Sequence, residues 1–276
     1  MNERQFMNNL VLIGCGNMGA AMIKALLDKA VYRVENLVII EKKENTYTQE
    51  FSDQGIAVFT QLKDFAGNID LAIIAVKPQD AGSTLLELSQ RTNEVNAVLS
   101  IMAGVTIGAI EDSLPSTQII RCMPNTPASI RCGMSVFCGN QKVNDETYKT
   151  AQTILEACGE AFQVDSETMI DAATAISGSG PGYVFYFAEA LAEGAIKLGF
   201  DENQARLLAS QTLLGSAKLL KTSSESAKEL RKKVTSPGGT TEAAINHFES
   251  SELKKQLIDG FQSAFLRSLE LAKISG

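Results

Sequence analysis

Wholly apolar short runs alternate with amphipathic stretches over roughly the first 165 residues, and after that only helical spacing continues. Runs at 10–13, 37–40, 56–59, 71–76, 97–101, 118–122 and 134–138, and a last one at 161–164, are short and mostly apolar, as strands buried on both faces are. Helix-forming stretches lie between them, the clearest at 145–158, so the period predicts strand, helix and strand in alternation around a doubly wound, parallel sheet. From Ser166 onward the spacing is helical, interrupted at Ser177-Gly178-Ser179-Gly180, at Gly199 and at Thr235-Ser236-Pro237-Gly238-Gly239-Thr240-Thr241. The change of period places a domain boundary near residue 165.

One stretch of the helical half is apolar over most of its circumference. Pro181 opens it at a position where the missing N–H is no loss, and Gly199 closes it. Tyr183, Val184, Phe185, Phe187, Ala188, Leu191, Ala192, Ala195, Ile196 and Leu198 leave only Glu189, Glu193 and Lys197 as a narrow polar stripe. A helix of that kind needs neighbours on nearly every side, more than a small helical domain holds, so it predicts an obligate dimer. Asp201 with Gln204, and Ser226 with Glu229, have the spacing of capping boxes at the starts of further helices.

Candidate chemistry begins directly after the first run. Gly14-Cys15-Gly16-Asn17-Met18-Gly19 matches G-x-G-x-x-G between a strand and a helical pattern of Met18, Met22, Ala25 and Leu26. In that context Gly14, Gly16, Asn17, Met18 and Gly19 make a pyrophosphate cradle, because free backbone N–H groups and the helix dipole face the anion. Glu41 follows the second strand, where a carboxylate accepts hydrogen bonds from an adenosine ribose; it lies 27 residues beyond Gly14 (41 − 14), against about 20 in the simple fingerprint. Lys42 and Lys43 either meet a 2′-phosphate or coat the surface, so the cofactor is NADPH or NADH. Three later strands end in Val76-Lys77-Pro78, Ala103-Gly104 and Asn125, at the carboxyl edge where such sheets bind ligands, with room for a flat ring and its ribose. Asn125 is either a cofactor contact or a turn residue. In 235–241, Pro237 and two glycines turn the chain so that the first N–H groups of the next helix point outward, which suits a small carboxylate; the alternative is a plain loop with a Thr cap.

Composition narrows the partners. Net charge is −7 with both signs scattered and no basic stripe, which argues against nucleic acid. Five cysteines without a C-x-x-C pair suit reduced core residues, with no disulfide framework and no metal. Residues 1–9 carry no long apolar run and no stretch is apolar for the length of a membrane span, so the reading is cytoplasmic, with no membrane partner. The single histidine, His247, lies on the helix after Thr241 as a surface or packing residue. Reducing a carbonyl requires a proton donor for the developing alkoxide, whereas reducing an iminium removes a charge already present; a site of hydroxyls and amides suits the second case.

Taken in order, the glycine turn, Ala75-Val76-Lys77-Pro78, Arg121-Cys122-Met123-Pro124-Asn125-Thr126-Pro127, Ala175-Ile176-Ser177-Gly178-Ser179-Gly180-Pro181-Gly182-Tyr183 and 234–241 resemble the landmarks of pyrroline-5-carboxylate reductase over nearly the whole chain. The resemblance implies an α/β fold, an N-terminal Rossmann-type doubly wound sheet (1–165) followed by an all-α dimerisation and substrate domain (166–276). It implies reduction of 1-pyrroline-5-carboxylate to L-proline by NAD(P)H, the last step of proline biosynthesis, in a homodimer or a larger homo-oligomer built from it. It puts the substrate at Ser236, Gly239, Thr240 and Thr241, with the catalytic Thr241 hydroxyl on the ring nitrogen and the S-G-S-G-P turn framing the site. Glu41-Lys42-Lys43 differs from the Ser- or Arg-bearing loop of strongly NADP-preferring members and leaves cofactor preference open. Two rivals are a β-hydroxyacid dehydrogenase using Lys197 as acid or base, and a regulator that binds dinucleotide without turnover.

Overall fold

The structure, a computed structural model, describes residues 9–275. The opening stretch read above for its lack of an apolar run lies, apart from Asn9, outside the described residues. Among the described residues eight strands form one sheet: β1 (Leu10–Ile13), β2 (Leu37–Ile40), β3 (Ala57–Phe59), β4 (Ile69–Ile74), β5 (Val95–Ser100), β6 (Gln118–Met123), β7 (Gly133–Gly139) and β8 (Gly159–Gln163). Their spatial order is β3-β2-β1-β4-β5-β6-β7-β8. Six helices accompany them: α1 (Asn17–Asp28), α2 (Thr46–Asp53), α3 (Ala81–Ser89), α4 (Ile107–Ser113), α5 (Asp145–Ala157) and α6 (Glu167–Ala173).

Alternation along the strands explains why their runs are wholly apolar. Leu10, Leu12, Leu37, Ile39, Leu71 and Ile73 meet Met22, Leu26, Phe51 and Ile154 from α1, α2 and α5 on one face. Val11, Ile13, Val38, Ile40, Ala72 and Ile74 meet Leu85, Leu88, Ile110 and Ile170 from α3, α4 and α6 on the other. Each fully buried aliphatic side chain contributes roughly 1.5 to 3 kcal/mol, so both layers are needed. Because α1 leaves β1 toward one layer and α3 leaves β4 toward the other, a crevice opens between the carboxyl ends of these adjacent strands.

All neighbouring pairs are parallel except β6 with β7, which run antiparallel from Ile120 opposite Gly139 to Met123 opposite Val136. The connection, residues 124–132, is shorter than the dozen or so residues that a parallel crossover needs. Cys132, at the end of this connection, corrects the reading of all five cysteines as core: four are buried and Cys132 is exposed. It follows Arg131, whose left-handed backbone (φ 59°) turns the chain out of a 3-10 segment.

The strands end at Gln163, but the first compact unit continues through α6 and a π turn (Thr174–Gly178) to Ser179, and includes the chain from Ala264 onward. The second unit, Gly180–Ser263, is helical: α7 (Gly180–Lys197), α8 (Glu202–Thr222), α9 (Ala227–Lys233), α10 (Thr240–Ser250) and the first part of α11 (Leu253–Ser275). Both capping boxes form, Gln204 N–H donating to Asp201 at 2.9 Å and Ser226 N–H to Glu229 at 2.7 Å. Gly199 (φ +103°) ends α7 in a Schellman turn, Phe200 N–H donating to the Ala195 carbonyl at 3.2 Å. None of the residues of α7 is buried in the single chain, and Phe185 is 61% exposed. An apolar surface of this extent marks an interface between proteins.

Candidate active site

The three glycines of the first turn have three distinct physical reasons. Gly14 has φ +95°, and a Cβ there would lie 2.8 Å from the Ala75 carbonyl carbon, so the turn closes against the end of β4 only with glycine. Gly19 faces the Gly14 carbonyl and Leu12, letting α1 pack directly on β1. At Gly16 a Cβ would meet nothing within 4 Å, which leaves the space above the start of α1 open, and no side chain caps that helix. An open, uncapped N-terminus beside a glycine backbone fits a pyrophosphate. Asn17 and Met18 form its first turn; Asn17 Oδ1 accepts from Tyr47 Oη at 3.2 Å, and Met18 packs on the core.

Glu41 stands at the end of β2, and its Oε2 accepts from Cys15 N–H at 2.7 Å inside the glycine turn. Asn45 caps α2 and donates from Nδ2 to the Cys15 carbonyl at 3.1 Å, so the turn is held through the peptides on both sides of Cys15. Burial, with Glu41 adding to it, pushes the Cys15 thiol up to about 12, which keeps this cysteine an inert packing residue. Gly14, Gly16, Glu41, Val76 and Lys77 line one cleft with Lys42, and Pro78 follows Lys77 as the first residue of a 3-10 turn leading into α3. Lys42 Nζ donates to Ser83 Oγ at 3.0 Å, at the edge of this cleft. Thr60, Asp80, Thr84 and Glu87 also line it, and sequence reasoning did not find them; single polar residues after β3 and along α3 carry no motif.

Ala103, Gly104 and Asn125 lie farther along the carboxyl edge, after β5 and β6, outside the lining of that cleft. Gly104 has φ +77° and lies against the Leu271 backbone. Asn125 engages both ends of its amide within the protein, Oδ1 accepting from Met134 N–H and Nδ2 donating to the Ser177 carbonyl, both at 2.9 Å. The same edge holds an ion cluster in which Arg121 and Asp171 are buried and Glu167 is partly exposed. Arg121 on β6 donates to Glu167 at 2.8 Å and to Asp171 at 2.7 Å, and Glu167 also accepts from Ile107 N–H at 2.9 Å.

In the helical unit, Gly238 (φ +74°) turns the chain and Gly239 is the N-cap of α10, with no side chain capping the helix. Gly239 N–H donates to the Ser236 carbonyl at 3.0 Å, and a Cβ on Gly239 would lie 2.6 Å from Ser236 Oγ. The Glu242 carboxylate accepts from Gly238 N–H at 2.7 Å and stiffens the turn. Thr240 and Thr241 form the first two positions of the helix, Thr240 exposed and Thr241 half-buried. Their N–H groups are those an α-helix leaves without a partner inside itself.

A family model described as pyrroline-5-carboxylate reductase dimerisation matches residues 167–271, and one described as coenzyme F420-dependent NADP oxidoreductase matches residues 9–104. The chain is 35% identical over 266 residues to the pyrroline-5-carboxylate reductase of Synechocystis sp., covering 96% of this chain and 98% of that one. The chain belongs to the pyrroline-5-carboxylate reductase family. Another relative of that description, from Pseudomonas aeruginosa, is 34% identical over 97% of this chain and 98% of its own. Among solved structures, a pyrroline-5-carboxylate reductase from Coxiella burnetii superposes with a TM-score of 0.90 at 34% identity, covering 96% and 99% of the two chains. A Plasmodium falciparum pyrroline carboxylate reductase with NADP bound superposes with a TM-score of 0.85 at 29% identity, covering 97% and 99%. The expected architecture, a Rossmann-type sheet followed by a helical dimerisation domain, is that of pyrroline-5-carboxylate reductases.

Proposed function

We infer that this chain is an NAD(P)H-dependent oxidoreductase that reduces 1-pyrroline-5-carboxylate to L-proline, the last step of proline biosynthesis. The observation that carries the reading is family identity over nearly the whole length, joined to an open glycine cradle at the switch point of the sheet. The reduced nicotinamide supplies a hydride when bound. Gly14, Gly16, Asn17, Met18 and Gly19 hold the pyrophosphate, Glu41 the ribose, and Val76, Lys77, Pro78, Ala103 and Gly104 flank the rest of the cofactor. The carboxylate of the imine binds at the α10 N-terminus on the N–H of Thr240, beside Ser236 and against Gly239, whose own N–H is taken by the Ser236 carbonyl, and the Thr241 hydroxyl holds the ring nitrogen. These roles rest on residue chemistry and family resemblance.

An iminium loses its positive charge on reduction, so these residues act by orienting the ring and not by donating a strong acid's proton. Membership of the pyrroline-5-carboxylate reductase family speaks against a hydroxyacid dehydrogenase with Lys197 as its acid, and His247 is exposed in its helix. Family membership likewise disfavours a regulator without turnover. The exposed apolar surface of α7, and a dimerisation match spanning 167–271, support a homo-oligomer whose unit is a dimer. No helix among the described residues is long and apolar enough to cross a membrane. A cytoplasmic enzyme acting on a small molecule, without nucleic acid, is the reading in keeping with this.

Cofactor preference tests the cradle assignment. Imine-dependent oxidation is expected with both NADH and NADPH, NADH being favoured or nearly equal, because Glu41 pairs with ribose hydroxyls and repels a 2′-phosphate that Lys42 partly offsets. A preference for NADPH above roughly tenfold in kcat/KM, about 1.4 kcal/mol, contradicts the role of Glu41. Oxidation of neither cofactor contradicts the function.

A further inference from the structure

Arg121, Met123 and Asn125 alternate along β6 and its continuation, and each meets the segment from α6 through the π turn. Arg121 holds Glu167 and Asp171 of α6 at 2.8 and 2.7 Å. Met123 Cε lies 3.1 Å from where a Cβ on Gly178 would stand, and Asn125 Nδ2 donates to the Ser177 carbonyl at 2.9 Å. The last bond answers a deficit written into the sequence. In a continuous α-helix the Ser177 carbonyl would accept from the N–H four residues on, but that residue is Pro181, which has none. The helix widens there instead, Ser179 N–H donating to the Thr174 carbonyl at 2.8 Å five residues back. Single π turns of this kind recur at functional sites, where they hold backbone in a place that regular helix would not.

We propose that Asn125 is a positioning residue: its amide replaces the N–H that Pro181 lacks and, with Arg121 and Met123, fixes the Ser177-Gly178-Ser179 turn in the place that the imine requires. The proposal rests on the reading that this turn frames the substrate site. Under it the Asn125 amide serves the turn and not the cofactor. Its acceptor, bonded to Met134 N–H, fixes which end of the amide faces the turn, so one of its two N–H groups is aimed at the Ser177 carbonyl.

The test is Asn125→Asp, which keeps the acceptor for Met134 and replaces the donor with an oxygen facing the Ser177 carbonyl. Three quantities are read on the full-length protein: amide hydrogen exchange of the peptide containing 174–179, kcat/KM for the imine, and NADPH affinity from fluorescence without imine. Exchange is expected to rise and kcat/KM to fall, each by roughly tenfold for the loss of one such bond, with NADPH affinity unchanged within about twofold. Unchanged exchange overturns the anchoring, and a tenfold loss of NADPH affinity makes Asn125 a cofactor contact. Faster exchange with unchanged imine kinetics leaves the anchor standing but overturns the framing of the site, and with it the positioning role. If Asn125→Asp does not fold, Gly178→Ala displaces the turn from its other side, against Met123, while leaving Asn125 in place. The same kinetic signature is expected there, and wild-type kinetics overturns the proposal.

Discussion

Replacing Arg121 by methionine is expected to destabilise the sheet unit by about 3 to 5 kcal/mol, because it removes the one cation from a site that keeps two carboxylates. Arg121 and Asp171 are 3% and 5% exposed, Glu167 is partly exposed, and the guanidinium offsets the repulsion of two carboxylates that helix spacing sets side by side on α6. Ser268 Oγ adds only a long contact of 3.5 Å to Asp171, and Ile107 N–H serves Glu167 alone, so neither neutralises the pair. By contrast the exposed pair of Lys24 and Glu50, at 2.7 Å, is worth about 1 kcal/mol or less, since water and salt screen it. Urea unfolding at fixed protein concentration, followed for both Arg121→Met and Lys24→Met, checks the ranking. A loss under about 1 kcal/mol for Arg121→Met would mean that the cluster is not held as described.

Thr241→Ala is expected to lower kcat/KM for the imine by roughly ten- to a hundredfold, corresponding to about 1.5 to 3 kcal/mol for a hydrogen bond to a charged or charge-losing nitrogen. The turn that presents it is stiff: Gly238 occupies the left-handed region, Gly239 packs on Ser236, and Glu242 holds Gly238 N–H. The Thr241 Cβ is therefore placed by a stiff backbone, and only the restricted χ1 of a β-branched side chain remains to set its hydroxyl. NADPH affinity is expected to change little, because the glycine turn belongs to the other compact unit. Thr241→Ser keeps the oxygen and is expected to retain most activity. Equal losses in Ala and Ser variants would assign the effect to the methyl group and its packing, and no loss in either would leave Thr241 as an ordinary first-turn residue.

Burial on both faces is what made the sheet legible. A strand such as Ile69–Ile74 shows its place by being apolar at nearly every position, and the glycine turn by its position between a strand and a helix. The apolar circumference of α7 was readable for the complementary reason, since its apolar positions outnumber what one chain covers. The direction of β7 was not readable, because a run buried on both faces looks the same in either direction; only the brevity of 124–132 bears on it. Nor was the Arg121 cluster, whose partners lie 46 and 50 residues away and announce nothing locally. The end of α11 joins the first unit through contacts such as Ser268 with Asp171, which a period cannot reveal. Asn125 was legible as a turn or ligand residue, and the geometry adds a third possibility that depends on a proline 56 positions later (181 − 125).

The most direct test of the central claim follows the transferred hydrogen. NADH and NADPH carrying deuterium at both C4 positions of the nicotinamide would be incubated with the protein and pyrroline-5-carboxylate, and the product analysed by mass spectrometry and NMR. Proline carrying one deuterium at C5, formed in step with cofactor oxidation, is the expected result. Cofactor oxidation without deuterated proline, or no oxidation by either cofactor with a folded protein, would contradict it.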